Sequence, residues 1–250
     1  MKLEEVIRGI KQTKLLYLLD SYAKNFEALV LRAFLEGKNF IYVTLDETAF
    51  HPKGGGQPAD VGLIYSASFK IMVKKVMIVD GVVVHWGKIL EGKIAEEEIK
   101  GVINWDSRYL YMKRHTAGHL FDHCLTVLKG KPVETIDSWL GDPCYVSYKG
   151  ECPPFDVSKD AETLENQMIS KGGKINIEII PFEELIKKAP NAPNIYRLPH
   201  LNYYRIVTIE GCGSIPCAGT HLKDINEIGC FKINKIEKLD SSFRVYYEIK

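Results

Sequence analysis

The chain has 250 residues, enough for one or two domains with a substantial core, and its 46% hydrophobic and 26% charged content is that of an ordinary globular protein. With 33 basic against 32 acidic residues the net charge is only +1, so the overall basic character common in nucleic-acid binders is missing, and no apolar run approaches the roughly 20 residues of a membrane span. Residues 1–12 lack the long apolar core and cleavage site of a signal peptide, and six cysteines are sparse for a disulfide framework; free thiols, a metal ligand and a cytoplasmic setting are expected.

Residues 1–12 place Leu3, Val6, Ile7 and Ile10 on one helical face, which predicts a short appended helix. The runs Asn39–Thr44, Gly62–Ser68, Lys70–Val79 and Val82–Trp86 are short, β-branched and aromatic, and predict a small β-barrel over residues 13–98. Between them, Gly54, Gly55 and Gly56 can take backbone angles closed to other residues, as a plain hairpin loop or as a point of close approach. After the acidic stretch Glu96–Glu98, Val102–Trp105 reads as a strand leading into a helix over Asp106–Lys129, which has no proline and one glycine. Pro143–Tyr148, Lys174–Pro181, Tyr203–Ile209 and Phe243–Ile249 read as strands, and Ala161–Ser170 and Phe182–Lys188 as helices. The fold class is therefore α+β: a small N-terminal barrel followed, over 99–250, by an α/β sandwich with an antiparallel sheet.

Two ligand pairs stand out. His115 and His119 lie one turn apart on the predicted helix and can face one ion; about a hundred residues later Cys217 and His221 follow Gly211, Cys212 and Gly213 in what reads as a tight, irregular backbone. Imidazole nitrogen and thiolate suit one Zn²⁺ per chain, although each pair alone is a weak signal and Cys212 is a rival to Cys217. Four protein ligands would close a tetrahedral site, whereas catalysis at a metal needs a position for water or substrate. Cys124 reads as core. Arg108, Lys113 and Arg114 around the helix, Lys70, Lys74 and Lys75 in the first lobe, and Lys187 and Lys188 in the second are local basic clusters, either solvated or tracking phosphates.

HTAGH at 115–119 and CAGTH at 217–221 resemble the two halves of the metal motif in the editing domain of alanyl-tRNA synthetases and in their free-standing AlaX homologues. Asp46–Gly62, with GGGQPAD at its centre, resembles the glycine-rich segment of the longer AlaX proteins, and the likeness runs from about Thr13 to about Glu248. One departure is Ala218, where relatives usually carry glycine. The resemblance implies a zinc-dependent hydrolase that deacylates tRNA for alanine mischarged with serine or glycine. It implies substrate contacts from Gly54, Gly55, Gly56, Gln57 and Arg114, and a Thr116 hydroxyl that recognises the serine side chain; a helix threonine bonding its own backbone is the plainer reading. Amides near Gly219 are candidates to stabilise the oxyanion of ester hydrolysis. No ATP-binding core precedes Thr13 and 29 residues follow His221, so tRNA charging, ATP use and membrane partners are not expected. A threonyl-type editing domain and a non-catalytic, zinc-stabilised RNA-binding module are the alternatives.

Overall fold

The computed structural model describes residues 3–94 and 97–250; Met1 and Lys2 of the expected N-terminal helix, and Glu96 of the acidic stretch, lie outside them. The chain divides into two compact units, one of residues up to Gly54 with Pro58–Leu110, the other of Gly55–Gln57 with Tyr111–Lys250.

In the first unit α1 (Leu3–Ile7) buries Val6 and Ile7 against Val82 and Val84. It is followed by β1 (Lys14–Leu15), α2 (Leu16–Leu19), β2 (Asn25–Glu36), β3 (Phe40–Leu45), β4 (Glu47–Thr48), β5 (Gly62–Tyr65), β6 (Phe69–Val79), β7 (Val82–Gly92) and β8 (Glu98–Ile103). β1 and β4 form a short parallel pair, and the other six close a barrel in the order β2-β3-β7-β6-β5-β8. Alternate residues point inward: Phe26, Ala28 and Val30 from β2, Ile41, Val43 and Leu45 from β3, and Ile71 and Val73 from β6 form its core. Asp80 and Gly81 join β6 to β7 with φ of 51° and 79°, the paired left-handed conformation that a two-residue hairpin requires.

Two expectations need correction here. β2, the longest barrel strand, lies in a stretch from which no strand was expected. The strand placed at Val102–Trp105 is β8, which begins earlier, ends at Ile103 and closes the barrel between β2 and β5, so the barrel's last strand runs past residue 98.

The second unit carries the rest of α3 (Trp105–Lys129), then β9 (Thr135–Trp139), β10 (Tyr145–Lys149), α4 (Phe155–Lys171), β11 (Ile175–Pro181), α5 (Leu185–Lys188), β12 (Tyr203–Ile209), β13 (Gly213–Pro216), β14 (Phe231–Lys238) and β15 (Ser242–Ile249). One antiparallel sheet has the order β14-β15-β10-β9, the other β11-β12-β13. The α+β architecture of a barrel and a sheet-based unit is as expected. α3 lies on the four-stranded sheet, where Phe121 stacks 5.1 Å from Phe231 and meets the edge of Tyr148. Asn166 docks α4 on β14, donating to the Phe231 carbonyl (2.8 Å) and accepting its N–H (2.9 Å). Gly213–Pro216, expected to be irregular, is a strand: it pairs with β12 from Ile206↔Pro216 to Ile209↔Gly213.

Candidate metal centre

All residues of the centre belong to the second unit. α3 has no break between Asp106 and Lys129, so His115 and His119 share a face, with ring centroids 4.9 Å apart. The second pair is delivered by the β12–β13 hairpin. β13 ends at Pro216, and the next residue, Cys217, donates its N–H to the Arg205 carbonyl (2.9 Å). The Arg205 side chain then donates to the carbonyls of Cys217 (2.7 Å) and Gly219 (3.0 Å), fixing the loop's path. Cys217 Sγ lies 3.3 Å from both His115 Nε2 and His221 Nε2, and the His115 and His221 rings are 4.2 Å apart. The donor atoms of His115, His119, Cys217 and His221 all fall within 4.8 Å of one another, the one such group among the described residues.

Two of the rings are held from behind. Gln57, fully buried, accepts at Oε1 from His115 Nδ1 (3.2 Å) and from the Thr220 N–H (3.1 Å), and its amide donates to the Thr220 hydroxyl (2.9 Å). His221 Nδ1 lies 3.4 Å from the Thr116 hydroxyl, which also accepts the Leu222 N–H (3.2 Å). With each Nδ1 engaged outward, each Nε2 lone pair is left to face the cluster.

The electrostatics favour a cation. Burial works against ionising Cys217, but the flanking His115 and His221 and the imidazole hydrogen bonds overcome it, and the thiol is held well below its usual range. Burial and the neighbouring His115 drive His221 down to about 3, so it presents a neutral ring. Burial disfavours a proton on His119, yet Asp122 and Cys217 outweigh it and push the imidazole up to about 9. His119 Nε2 is buried with no hydrogen-bond partner, although it points into the cluster. Three imidazoles, one thiolate and one unanswered buried nitrogen fit a tetrahedral N₃S zinc site.

The other expected residues have these surroundings. Gly219 donates its N–H to Cys217 Sγ (3.4 Å). Its missing side chain matters more: a Cβ there would lie 2.1 Å from His115 Cε1. The Thr116 hydroxyl meets His221 and Leu222 rather than its own helix. Arg114 donates to the carbonyls of Leu140 and Gly141 (both 2.9 Å) and to Asp142 (2.6 Å), so its guanidinium pins that turn. Gly54 and Gly55 are exposed. Gly56, at φ 82°, is where another part of the same chain comes close, since a Cβ would meet the Ser138 carbonyl at 2.4 Å. Arg108 is no phosphate contact: it is fully buried in the first unit, ion-paired with Asp60 and bonded to the Ser21 (3.0 Å) and Ala49 (2.6 Å) carbonyls. Cys212 stays outside the cluster, and Ala218 is exposed. Sequence reasoning missed Arg205 entirely and missed Gln57 as a clamp on His115; the glycine-rich segment marked Gln57 only as a substrate contact.

Comparison with known proteins fits this centre. Residues 19–107 match the family of class II (A) tRNA synthetases, and residues 204–246, which include Cys217 and His221, match the second additional domain of threonyl and alanyl tRNA synthetases. The chain is 30% identical to the alanyl-tRNA editing protein AlaX-M of Methanosarcina acetivorans over 95% of its own length and 99% of that protein. It is 32% identical to AlaX-M of Methanosarcina mazei over 95% and 96%. An alanine–tRNA ligase of Pyrobaculum aerophilum is also 32% identical, over 93% of this chain but 26% of the ligase.

Proposed function

The chain belongs to the AlaX-type alanyl-tRNA editing proteins, and from that premise we propose that it acts in trans, in the cytoplasm, to hydrolyse the ester joining serine, or glycine, to tRNA for alanine, with one zinc ion at His115, His119, Cys217 and His221. The observation that carries the zinc is the convergence of four soft and borderline donors within 4.8 Å around a buried, unpartnered His119 Nε2. When bound there, zinc supplies Lewis acidity that can polarise an ester carbonyl.

The chain's own residues set the rest. Gln57 and Thr116 keep His115 and His221 from turning. Because the Thr116 oxygen accepts from Leu222 and faces the His221 Nδ1–H, its own hydroxyl hydrogen is what it has to offer a serine side chain. Alanine would leave that hydrogen without a partner, which discriminates against the correctly charged tRNA. Thr116→Val should slow seryl-tRNA hydrolysis while the chain stays folded; unchanged selectivity for serine would remove Thr116 from this role.

The test of the whole reading is deacylation of tRNA for alanine charged separately with serine, glycine and alanine, with and without a chelator. Chelator-sensitive loss of serine with alanine spared is the expected result. No hydrolysis of any of the three, with the tRNA still bound, would make the chain a zinc-stabilised RNA-binding module instead.

A further inference from the structure

The three histidines of the centre are not held alike. Neutral groups, an amide and a hydroxyl, stand behind His115 and His221. Behind His119 stands a carboxylate: its Nδ1 lies 3.6 Å from Asp122 Oδ2, one helical turn further along α3. Asp122 is 5% exposed, and its other oxygen accepts the Tyr148 hydroxyl at 2.6 Å. Tyr148 in turn is fully buried on β10, stacked 5.1 Å from Phe243 and edge-on to Phe121. A short carboxylate on a helix, hydrogen-bonded to a ring that the core has locked, has one place to put its second oxygen.

We propose that Asp122, clamped by Tyr148, is the positioning carboxylate of the metal centre: it holds His119 as the Nδ1–H tautomer and aims Nε2 at the ion. The proposal rests on the zinc reading above. A second acid, Glu165, lies close by, and its surroundings differ. Both Glu165 oxygens are buried without a hydrogen-bond partner, and burial with the nearby Asp122 pushes its carboxyl well above the usual range. Of the two acids, Asp122 accepts the Tyr148 hydroxyl and lies 3.6 Å from His119 Nδ1, whereas Glu165 meets no hydrogen-bond partner. Carboxylates behind metal-bound histidines fix tautomer and orientation, and their loss typically weakens metal binding by about 10- to 100-fold.

The experiment uses the full-length chain and zinc itself. Zinc affinity is measured by competition with a chromophoric chelator for wild type, Asp122→Asn and Tyr148→Phe, and the ring-nitrogen shifts of His119 are followed by nitrogen-15 NMR in the zinc-loaded proteins. Asparagine has nearly the same shape and can still accept from Tyr148, so the fold should survive. Asp122→Asn should weaken zinc by about 10- to 100-fold and shift the His119 Nδ1 signal, with those of His115 and His221 in place. Tyr148→Phe should weaken it by a smaller factor, since the carboxylate remains but is no longer clamped. Wild type that takes up no zinc would end the metal reading itself. Wild type that binds zinc, with both variants within twofold of it and the His119 signal unmoved, would overturn the role given to Asp122. Should Asp122→Asn fail to fold, Tyr148→Phe alone decides.

Discussion

In the barrel, His85 is fully buried and both ring nitrogens are answered inside the fold: Nδ1 donates to the Val43 carbonyl (3.2 Å), Nε2 accepts from the Thr48 hydroxyl (2.9 Å), and Thr48 in turn accepts the Phe50 N–H (3.1 Å). At the metal centre the outer nitrogens of His115 and His221 are answered in the same way, but the inner nitrogens converge on a single sulfur, and His119 Nε2 meets no hydrogen-bond partner. The Arg108–Asp60 pair extends the contrast, because the barrel buries a full charge pair and matches it to carbonyls within its own unit. Closed polar networks hold a fold together. Buried metal-donor atoms that converge on one point suit a metal ion.

The largest effect should come from crowding the convergent donors. Gly219→Ala puts a methyl 2.1 Å from His115 Cε1, so the ring or the loop must move, and stoichiometric zinc and deacylation should both be lost. Metal content by atomic emission checks this, and a fully zinc-loaded variant would show that the loop yields freely. Breaking the closed network should damage stability and spare the chemistry. Asp60→Asn leaves Arg108 buried without its counter-charge and should cost about 3–5 kcal/mol, read as a lower melting point of the barrel with zinc still bound.

A smaller effect follows from the titration of His85. Burial lowers it from 6.5 to about 4, so between those values the unfolded chain binds a proton that the folded barrel refuses. Its contribution is complete above about pH 6.5 and falls away as the pH drops toward 4, by on the order of 3 kcal/mol in all. Denaturant midpoints from pH 7 to 4.5 should decline, and less steeply in His85→Gln, which has no such proton to refuse. Equal slopes would show that His85 does not set the acid limit of the barrel.

The contrast also explains what could be read from the chain before folding. The ligands were legible because HxxxH and CxxxH keep their chemistry in their spacing, and α3 because apolar residues recur along 25 residues without a break. β2 was not, since Ala28, Leu29, Leu31, Arg32 and Ala33 are good helix formers and only tertiary pairing with β3 and β8 makes them a strand. β13 was hidden by the glycines around Cys212, which look like loop but sit opposite β12. The clamps were illegible for another reason. Gln57 is 58 positions from His115, and nothing local distinguishes Arg205 from any solvated arginine. Arg114 is a mixed case: its charge is visible in the sequence, but the Leu140 and Gly141 carbonyls that it meets are not.

The smallest effect belongs to Ala218, the position at which the chain departs from the usual motif of its relatives. It is next to Gly219, where a single methyl would be ruinous, yet it is exposed. Its φ is not positive, so no glycine is demanded there. Ala218→Gly should therefore act mainly through the unfolded chain, at a cost of about 0.4–1 kcal/mol, with zinc affinity and seryl-tRNA deacylation within twofold of wild type. Side-by-side measurement of Ala218→Gly and Gly219→Ala makes a sharp comparison, since the same pair of residue types is exchanged at adjacent positions in opposite directions. A several-fold change in deacylation with Ala218→Gly, at unchanged zinc affinity, would mean that the exposed side of this loop meets the aminoacyl end, and the boundary of the site would have to be drawn one residue wider.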